Sequence, residues 1–408
     1  MDYEETFAPV VKMKTIRTLI DVASICQWKI DQMDVKNAFL NGDLHEEVYM
    51  MSPLVFLINL VKFASFTKLF MVSNNHHVPG FKTFSMVITS LGFLSSNHDS
   101  TLFIQRTTVG CILLSVYVDD MIITSDDHDG IESLKSELAH SFAMKDLGML
   151  HYFLGIEVAY SPKGYLLSQS KYISDLFEHA RLTDNRIVNT PLETNARYSL
   201  SDGTLLEDYG LYCTIVGSLV YLTITRPNIA HAVHVVSQFF TTLTTVHWAA
   251  VLRILKYLRG TQFHSLIFPS MSSLKLRAYS DADWIGDPTD RKSTTGYCIF
   301  LGDSHISWKR KKQDVISRSS TEAEYQAMAS TTYEIVWLRR LLIDMGISLS
   351  HPTLLYCDNQ SAIQIAQNYV FHERTKHIEI DCHVTRHHLQ THTITLSFVP
   401  SSLQIADC

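Results

Sequence analysis

Residues Cys111 to Val118 form an apolar run, Cys-Ile-Leu-Leu-Ser-Val-Tyr-Val, broken by Asp119-Asp120 and resumed from Met121 to Ile123. Two short apolar runs around a polar pair predict a β-hairpin with two carboxylates at its tip. A shorter strand, Ile30-Asp-Gln-Met-Asp-Val, runs toward an expected helix and carries Asp34. From about 129 to 265 the spacing turns helical, with expected helices over Ile131 to Phe142, Tyr172 to Ala180, Ile229 to Phe240 and Trp248 to Leu258. Thr190-Pro191 and the polar stretch Ser199 to Gly210 read as loops. After a polar linker at Pro269-Ser-Met-Ser-Ser273, strand-like and helix-like segments alternate, the pattern of an α/β layer. Lys275 to Ser280 reads as a strand ending in Asp281. A helix opens at Ser319 with Met328, Ile335, Leu338 and Leu342 on its buried side, and Leu354 to Cys357 forms a strand that delivers Asp358 just before a helix at Ser361. The expected domains are therefore 1–128, 129–265 and 272–408.

The acids suggest chemistry. Adjacent carboxylates repel and are costly beside a buried strand, and a divalent cation removes that penalty. Asp34, Asp119 and Asp120 could hold two metals, although an Asp-Asp turn also serves simply to bind backbone donors. The third domain offers a second set: Asp281, one of Glu322 or Glu324, Asp358 and Asp407. Ser319 followed three residues later by Glu322 fits a capping box, in which both side chains satisfy exposed backbone amides at a helix start. Glu324 is then the freer carboxylate, and Asp283 reads as a surface turn acid.

Composition narrows the partners. With 46% hydrophobic residues in a chain of 408, there is ample material for two to three buried cores. The net charge of −7, from 34 basic and 41 acidic residues, is not that of a protein held on nucleic acid by bulk charge. Any nucleic-acid groove must be locally basic, and the candidates are Lys309-Arg-Lys-Lys312 and the Arg253, Lys256, Arg259 stripe, whose spacing of three places it on one helical face; on the residues alone a solvated surface is the favoured reading of both. Seven scattered cysteines read as reduced thiols. His383 and His387 stand four apart, but Val384-Thr-Arg386 lacks the glutamate of a zinc hydrolase helix and Cys382 has no partner at finger spacing, so zinc is not expected there.

Tyr117-Val-Asp-Asp120 and Asp34-Val-Lys-Asn-Ala-Phe-Leu-Asn-Gly42 resemble the two metal-binding motifs of reverse transcriptases. Asp2-Tyr-Glu-Glu-Thr-Phe-Ala-Pro-Val10 and Tyr152-Phe-Leu-Gly-Ile-Glu-Val158 are similar to the opening segment and primer-gripping hairpin of the Ty1/copia retrotransposon type. The order Asp281, Glu324, Asp358, Asp407, with Glu324-Tyr-Gln-Ala327, resembles that family's ribonuclease H domain over nearly all of 275–408. The resemblance implies an α+β polymerase palm and fingers with a helical thumb and connection, then an α/β ribonuclease H-like domain with a mixed sheet. It implies an RNA-directed DNA polymerase and hybrid ribonuclease acting on an RNA template, a DNA primer, deoxynucleotides and RNA–DNA hybrid. Two Mg²⁺ ions per site would be held by Asp34, Asp119 and Asp120, and by Asp281, Glu324, Asp358 and Asp407, all hard oxygen donors. Phe39 would gate the sugar by bulk, and Tyr117 would also contact substrate.

One stretch departs from the family. A helix-bearing motif, roughly Lys-x-Leu-Tyr-Gly-Leu-Lys-Gln, is expected between Tyr49-Met50 and Ser90-Leu-Gly-Phe93 and is missing. Back-translating Leu54 to Phe81 and reading one base earlier, with permitted codons, yields a peptide containing Lys-Ala-Leu-Tyr-Gly-Leu-Lys-Gln. Residues 54–81 are thus expected to be an out-of-frame translation without coherent packing. That also accounts for the membrane-like run Leu54 to Val72, which Lys62 and Lys68 would make costly in lipid. The upstream basic fingers are also absent and the chain stops just after Asp407. The expectation is a defective polyprotein fragment with impaired polymerization. The alternatives are ribonuclease H activity alone or a catalytically silent nucleic-acid-binding protein. With no signal peptide, an intracellular location, cytoplasmic or nuclear, is expected and no membrane.

Overall fold

The computed structural model describes residues 11–35, 49–50, 64–65, 77–142, 144–182, 184–193, 198–199, 203–206, 208–240, 243–286, 290–368 and 379–406. They form two compact units: one of residues 1–16, 28–150 and 344–346, the other of 17–27, 151–343 and 347–408. Among the described residues, no helix is long and apolar enough to cross a membrane.

The first unit follows from strand alternation. Helix α1 (Met13–Ile25) leads to β1 (Ile30–Val35), then the two-residue strands β2 (Tyr49–Met50) and β3 (Ala64–Ser65), which pair with each other. Helix α2 (His77–Ser90) precedes β4 (Leu94–Ser95), β5 (Leu102–Arg106), β6 (Cys111–Tyr117) and β7 (Asp120–Ser125), then α3 (His128–Ser141) and β8 (Met144–Met149). The six-stranded sheet has the order β4-β5-β6-β7-β1-β8 and every pairing is antiparallel. Met33 and Val35 of β1, Leu114 and Val116 of β6, and Met121 and Ile123 of β7 enter one core. Asp34 and Asp120, one position out of phase, belong to the opposite face. Helix α3 closes the core with Ile131, Leu134 and Leu138, and is capped by Asp127, whose Oδ1 accepts from Gly130 N at 2.8 Å. Because β8 pairs with β1, this sheet runs past the boundary expected at 128.

Most of residues 54–81 lie outside the described set, with two exceptions. Ala64–Ser65 form β3, and residues 77–81 open α2. Phe81, at the expected end of the aberrant stretch, packs against Phe103 with ring centroids 6.2 Å apart.

The second unit has three groups of elements. Strands β9 (Tyr152–Phe153), β10 (Ile156–Ser161) and β11 (Gly164–Ser168) form a meander, which β12 (Leu266–Pro269) joins at its β11 edge. The β9–β10 turn is Leu154-Gly155, both with positive φ (50° and 73°), the geometry of a tight two-residue hairpin. Helices α4 (Ser170–His179), α5 (Tyr209–Leu222), α6 (Ala230–Val236) and α7 (Thr245–Gly260) bury Ile173, Leu176, Ile215, Leu219, Val233, Val251, Ile254 and Leu258 in a common core. The helix expected over Ile229 to Phe240 is broken into α6 and flanking 3₁₀ turns. Residues 209–210, expected in a loop, begin α5, which Asp208 caps through Leu211 N at 2.9 Å. That helix is apolar nearly all round and so shows little periodicity to read.

The remaining elements are β13 (Leu276–Asp283), β14 (Thr294–Leu301), β15 (Ser304–Lys312), α8 (Ser320–Asp344), β16 (Thr353–Cys357), α9 (Gln360–Gln367), α10 (Glu379–Gln390) and β17 (Ile394–Phe398). The sheet order is β15-β14-β13-β16-β17, antiparallel as far as β13 and parallel at β13–β16 and β16–β17. It is a mixed sheet, and parallel neighbours bring the carboxyl ends of β13 and β16 to the same edge. A buried knot ties α1 to this sheet. The Arg17 guanidinium lies 3.7 Å from the Trp308 ring centroid and donates to Ile224 O at 2.8 Å, while Trp308 Nε1 donates to Thr223 O.

Candidate active sites

In the first unit, Tyr117 pairs with Asp120, leaving Val118-Asp119 as a two-residue turn. Val118 takes φ +54°, rare for a β-branched residue. Asp34 of β1 lies directly opposite Asp120 of β7, and Asp119 O accepts from Val35 N at 2.9 Å. The backbone of all three acids therefore lies at one end of the β1–β7 pair. Gln32 Nε2 donates to Asp120 Oδ1 at 3.1 Å. Partial burial, with the Asp34 charge adding, raises the Asp120 carboxyl above its usual value against the Gln32 hydrogen bond. Like charges opposed across a strand pair are destabilising, so a hard divalent cation fits these oxygens. Lys145 lies across from Asp34 on β8. Phe39 lies outside the described residues.

In the second unit, Tyr279 of β13 pairs with Tyr356 of β16 and the two rings stack at 4.7 Å. Two residues further along each chain come Asp281 and Asp358, so the parallel register delivers both to one end of the sheet. Glu324, buried in the second turn of α8, accepts from Ala282 N at 3.1 Å through Oε1. Burial first, then the charges of Asp281 and Asp358, push the Glu324 carboxyl up to about 8. Such a carboxyl needs either a proton or a cation. Donor atoms of Glu324, Cys357 and Asp358 lie within 4.8 Å of one another. Asp358 Oδ2 also accepts from Ser401 Oγ at 2.6 Å.

Glu322 is engaged otherwise. Its backbone N donates to Ser319 Oγ at 3.3 Å, and its Oε2 accepts from Arg318 N at 2.9 Å. This is a capping box displaced by one residue. Asp283 accepts from Thr294 N and pairs with Arg310 at 3.9 Å. Asp407 lies outside the described residues, but the segment before it is anchored. Gln404 Nε2 donates to Ser280 O at 2.9 Å, and Ala406 O stands so near Gly296 that a Cβ there would meet it at 2.7 Å. Gly296 pairs with Asp281, so this segment runs beside the acids. Residues 404–406 are thus held against the sheet up to the position before Asp407.

The basic stripe is not an open groove. Arg253 pairs with Glu193 at 3.4 Å and Lys256 with Asp184 at 2.9 Å, while Arg259 donates to Asn185 Oδ1 and Leu182 O. Its spacing serves to clamp Leu182, Asp184, Asn185 and Glu193 onto α7. In the second basic candidate, Arg310, Lys311 and Lys312 each have an acidic partner, Asp283, Asp314 and Asp290, and Lys309 is exposed. Sequence reasoning missed Cys357. Its position before Asp358 was visible, but its approach to Glu324 on a helix 33 residues away was not.

A family model described as "Reverse transcriptase (RNA-dependent DNA polymerase)" matches residues 1–194. The Retrovirus-related Pol polyproteins from transposons RE2 and RE1 of Arabidopsis thaliana are 40% and 41% identical over 100% of this chain, and that of transposon TNT 1-94 of Nicotiana tabacum is 36% identical over 100% of it. The chain spans 28%, 28% and 31% of those polyproteins. Among solved structures, a ribonuclease H1 in complex with RNA/DNA hybrid is matched over 32% of this chain and 89% of that one, at 10% identity and TM-score 0.25. A foamy viral protease-reverse transcriptase in complex with double-stranded DNA is matched over 98% of this chain and 61% of that one, at 13% identity and TM-score 0.22. The chain belongs to the reverse transcriptase family of copia-type retrotransposons, and is by family an enzyme.

Proposed function

We propose that the chain carries two nucleic-acid-processing sites, an RNA-directed DNA polymerase site at Asp34, Asp119 and Asp120 and a hybrid ribonuclease site at Asp281, Glu324, Asp358 and Asp407. In this reading the first unit is the palm with part of the fingers, and α4 to α7 supply thumb and connection. The observation that carries the ribonuclease reading is the approach of Asp281, Glu324 and Asp358 at one sheet end, with Glu324 held up near 8 by burial and its two acidic neighbours. When bound, a pair of Mg²⁺ ions about 3.5–4 Å apart supplies charge stabilisation to the attacking and leaving oxygens. The chain's own part is orientation: the Ala282 N–H fixes one Glu324 oxygen, Ser401 fixes Asp358, and Gln32 steadies Asp120. Phe39 and Tyr117 would face the incoming deoxynucleotide, Phe39 excluding a ribose 2′-hydroxyl by bulk. Polymerization is impaired in this reading, because the helix motif expected within 54–81 is absent from the sequence.

The test uses purified chain with RNA–DNA hybrid and with primed RNA template. Mg²⁺-dependent cleavage of the RNA strand is expected, abolished by EDTA and by Asp358→Asn, with primer extension at or near background. Strong extension, lost in Asp119→Asn, would overturn the impairment. Salt-dependent hybrid binding with no Mg²⁺-dependent product would instead select a silent nucleic-acid-binding protein.

A further inference from the structure

Cys357 is the one thiol in a cluster otherwise made of carboxylates, and nothing in the ribonuclease reading uses it. The residue is fully buried at the end of β16, and its Sγ stands 3.8 Å from Glu324 Oε2. Glu324 is already split between two directions, with Oε1 taken by the Ala282 N–H and Oε2 turned to the sulfur. Burial and the Glu324 charge push the Cys357 thiol up, against the Asn359 backbone N–H, which donates to Sγ at 3.4 Å. The sulfur's own donor contacts, to Glu324 Oε2 and to Asn359 O at 3.9 Å, are at the long limit for a thiol. Asp358 follows in sequence, with a donor oxygen within 4.8 Å of the other two donor atoms.

These spacings suit one small ion. With Zn–S near 2.3 Å and Zn–O near 2.0–2.2 Å, donors on a tetrahedral zinc stand about 3.5 Å apart. The sulfur–Oε2 separation is already close to that, and the third donor needs a shift on the order of an ångström. Magnesium prefers oxygen alone, whereas a thiolate with two carboxylates is a donor set for a borderline-soft cation, which also binds such sites more tightly by the general order of divalent affinities.

We propose that Glu324, Cys357 and Asp358 form a three-donor site for a thiophilic divalent cation of the Zn²⁺ class, and that this ion competes with Mg²⁺ for the same two carboxylates. Binding converts the thiol to a thiolate: the S–H bond breaks, an S–metal bond forms and that proton leaves to solvent, together with the proton that Glu324 holds when no cation is bound. Zinc then withholds two of the oxygens on which hybrid cleavage depends. Only the competition rests on the ribonuclease reading; the binding itself does not.

The probe is Co²⁺, whose bond to a thiolate gives a near-ultraviolet charge-transfer band. The full chain titrated with Co²⁺ should develop this band to one ion per chain, and Zn²⁺ or a large excess of Mg²⁺ should remove it. Cys357→Ser should lose the band although Cys26, Cys111, Cys213, Cys298, Cys382 and Cys408 remain. A wild-type chain without the band, or a band that persists in Cys357→Ser, overturns the proposal. Should Cys357→Ser lose its fold by circular dichroism, Asp358→Asn keeps the sulfur and should weaken Co²⁺ binding at least about tenfold, as loss of even an outer partner commonly does; unchanged affinity overturns the site. A band with no Mg²⁺-dependent hybrid cleavage sinks the ribonuclease reading and leaves the metal site standing. Cleavage that micromolar Zn²⁺ does not inhibit, in a chain that shows no band, sinks the metal site alone.

Discussion

Two glutamates one helical half-turn apart illustrate how far single residues can be read. The Ser319-to-Glu322 spacing pointed to a cap, and Glu322 does accept from the Arg318 backbone, while Glu324 faces Ala282, Asp281 and Asp358. Glu322→Gln keeps an acceptor for the Arg318 N–H, so hybrid cleavage should stay within about twofold and stability should fall by about 1 kcal/mol or less. Glu324→Gln should abolish cleavage. The reverse pattern in a cleavage assay would exchange their roles. Asp21 carries a prediction that sequence could not supply, since its burial depends on residues far along the chain. Its Oδ1 accepts from Ser304 Oγ while its Oδ2 is buried, and burial pushes its carboxyl up to about 8 despite that hydrogen bond. A carboxyl raised in the folded state favours folding below its unfolded pKa and loses that contribution as pH rises through the folded value. The urea midpoint of the second unit should therefore fall between roughly pH 4 and pH 8, and Asp21→Asn should flatten that dependence. Equal slopes in both proteins would refute the assignment.

At the scale of elements, alternation and turn chemistry made β1, the β6–β7 hairpin, α3, α4, α7, α8 and β16 readable, because each exposes its period within a few residues. Helix α5 and the broken α6 escaped for the opposite reason: one is apolar all round, and the other is interrupted where Pro227 and the following 3₁₀ turn set its start. The charged stripe on α7 stayed open between a solvated face and a groove, because spacing shows which side chains share a face but not what that face meets. Pattern also gave no warning that the β6–β7 turn places Val118 at positive φ. A branched side chain held there costs about 1–2 kcal/mol, and Val118 is 42% exposed, so little burial is lost on its removal. Val118→Gly should raise the stability of the first unit by about 1 kcal/mol, after allowance for glycine's greater unfolded freedom. A lower denaturant midpoint would show that the valine is held by packing instead.

For the molecule as a whole, the boundaries read from composition fall inside the compact units, since β8 returns to β1 and β12 returns to β11 through pairings no local window contains. The second unit is discontinuous, drawing residues 17–27 from α1. Arg17→Ala should destabilise that unit by about 2–4 kcal/mol, combining the lost contact with Trp308 and the charged hydrogen bond to Ile224 O. Chemical denaturation followed by far-ultraviolet circular dichroism tests this, and a change under 0.5 kcal/mol, roughly the scatter of surface substitutions, would reject it. The same knot sets a schedule on the ribosome. Asp21 and its partner Ser304 are 283 residues apart, so at about 5–20 residues per second the first waits roughly 15 to 60 s for the second to be synthesised. During that interval the Asp21 carboxyl and the Arg17 guanidinium lack Ser304 and Trp308, so this part of α1 is completed only late in synthesis.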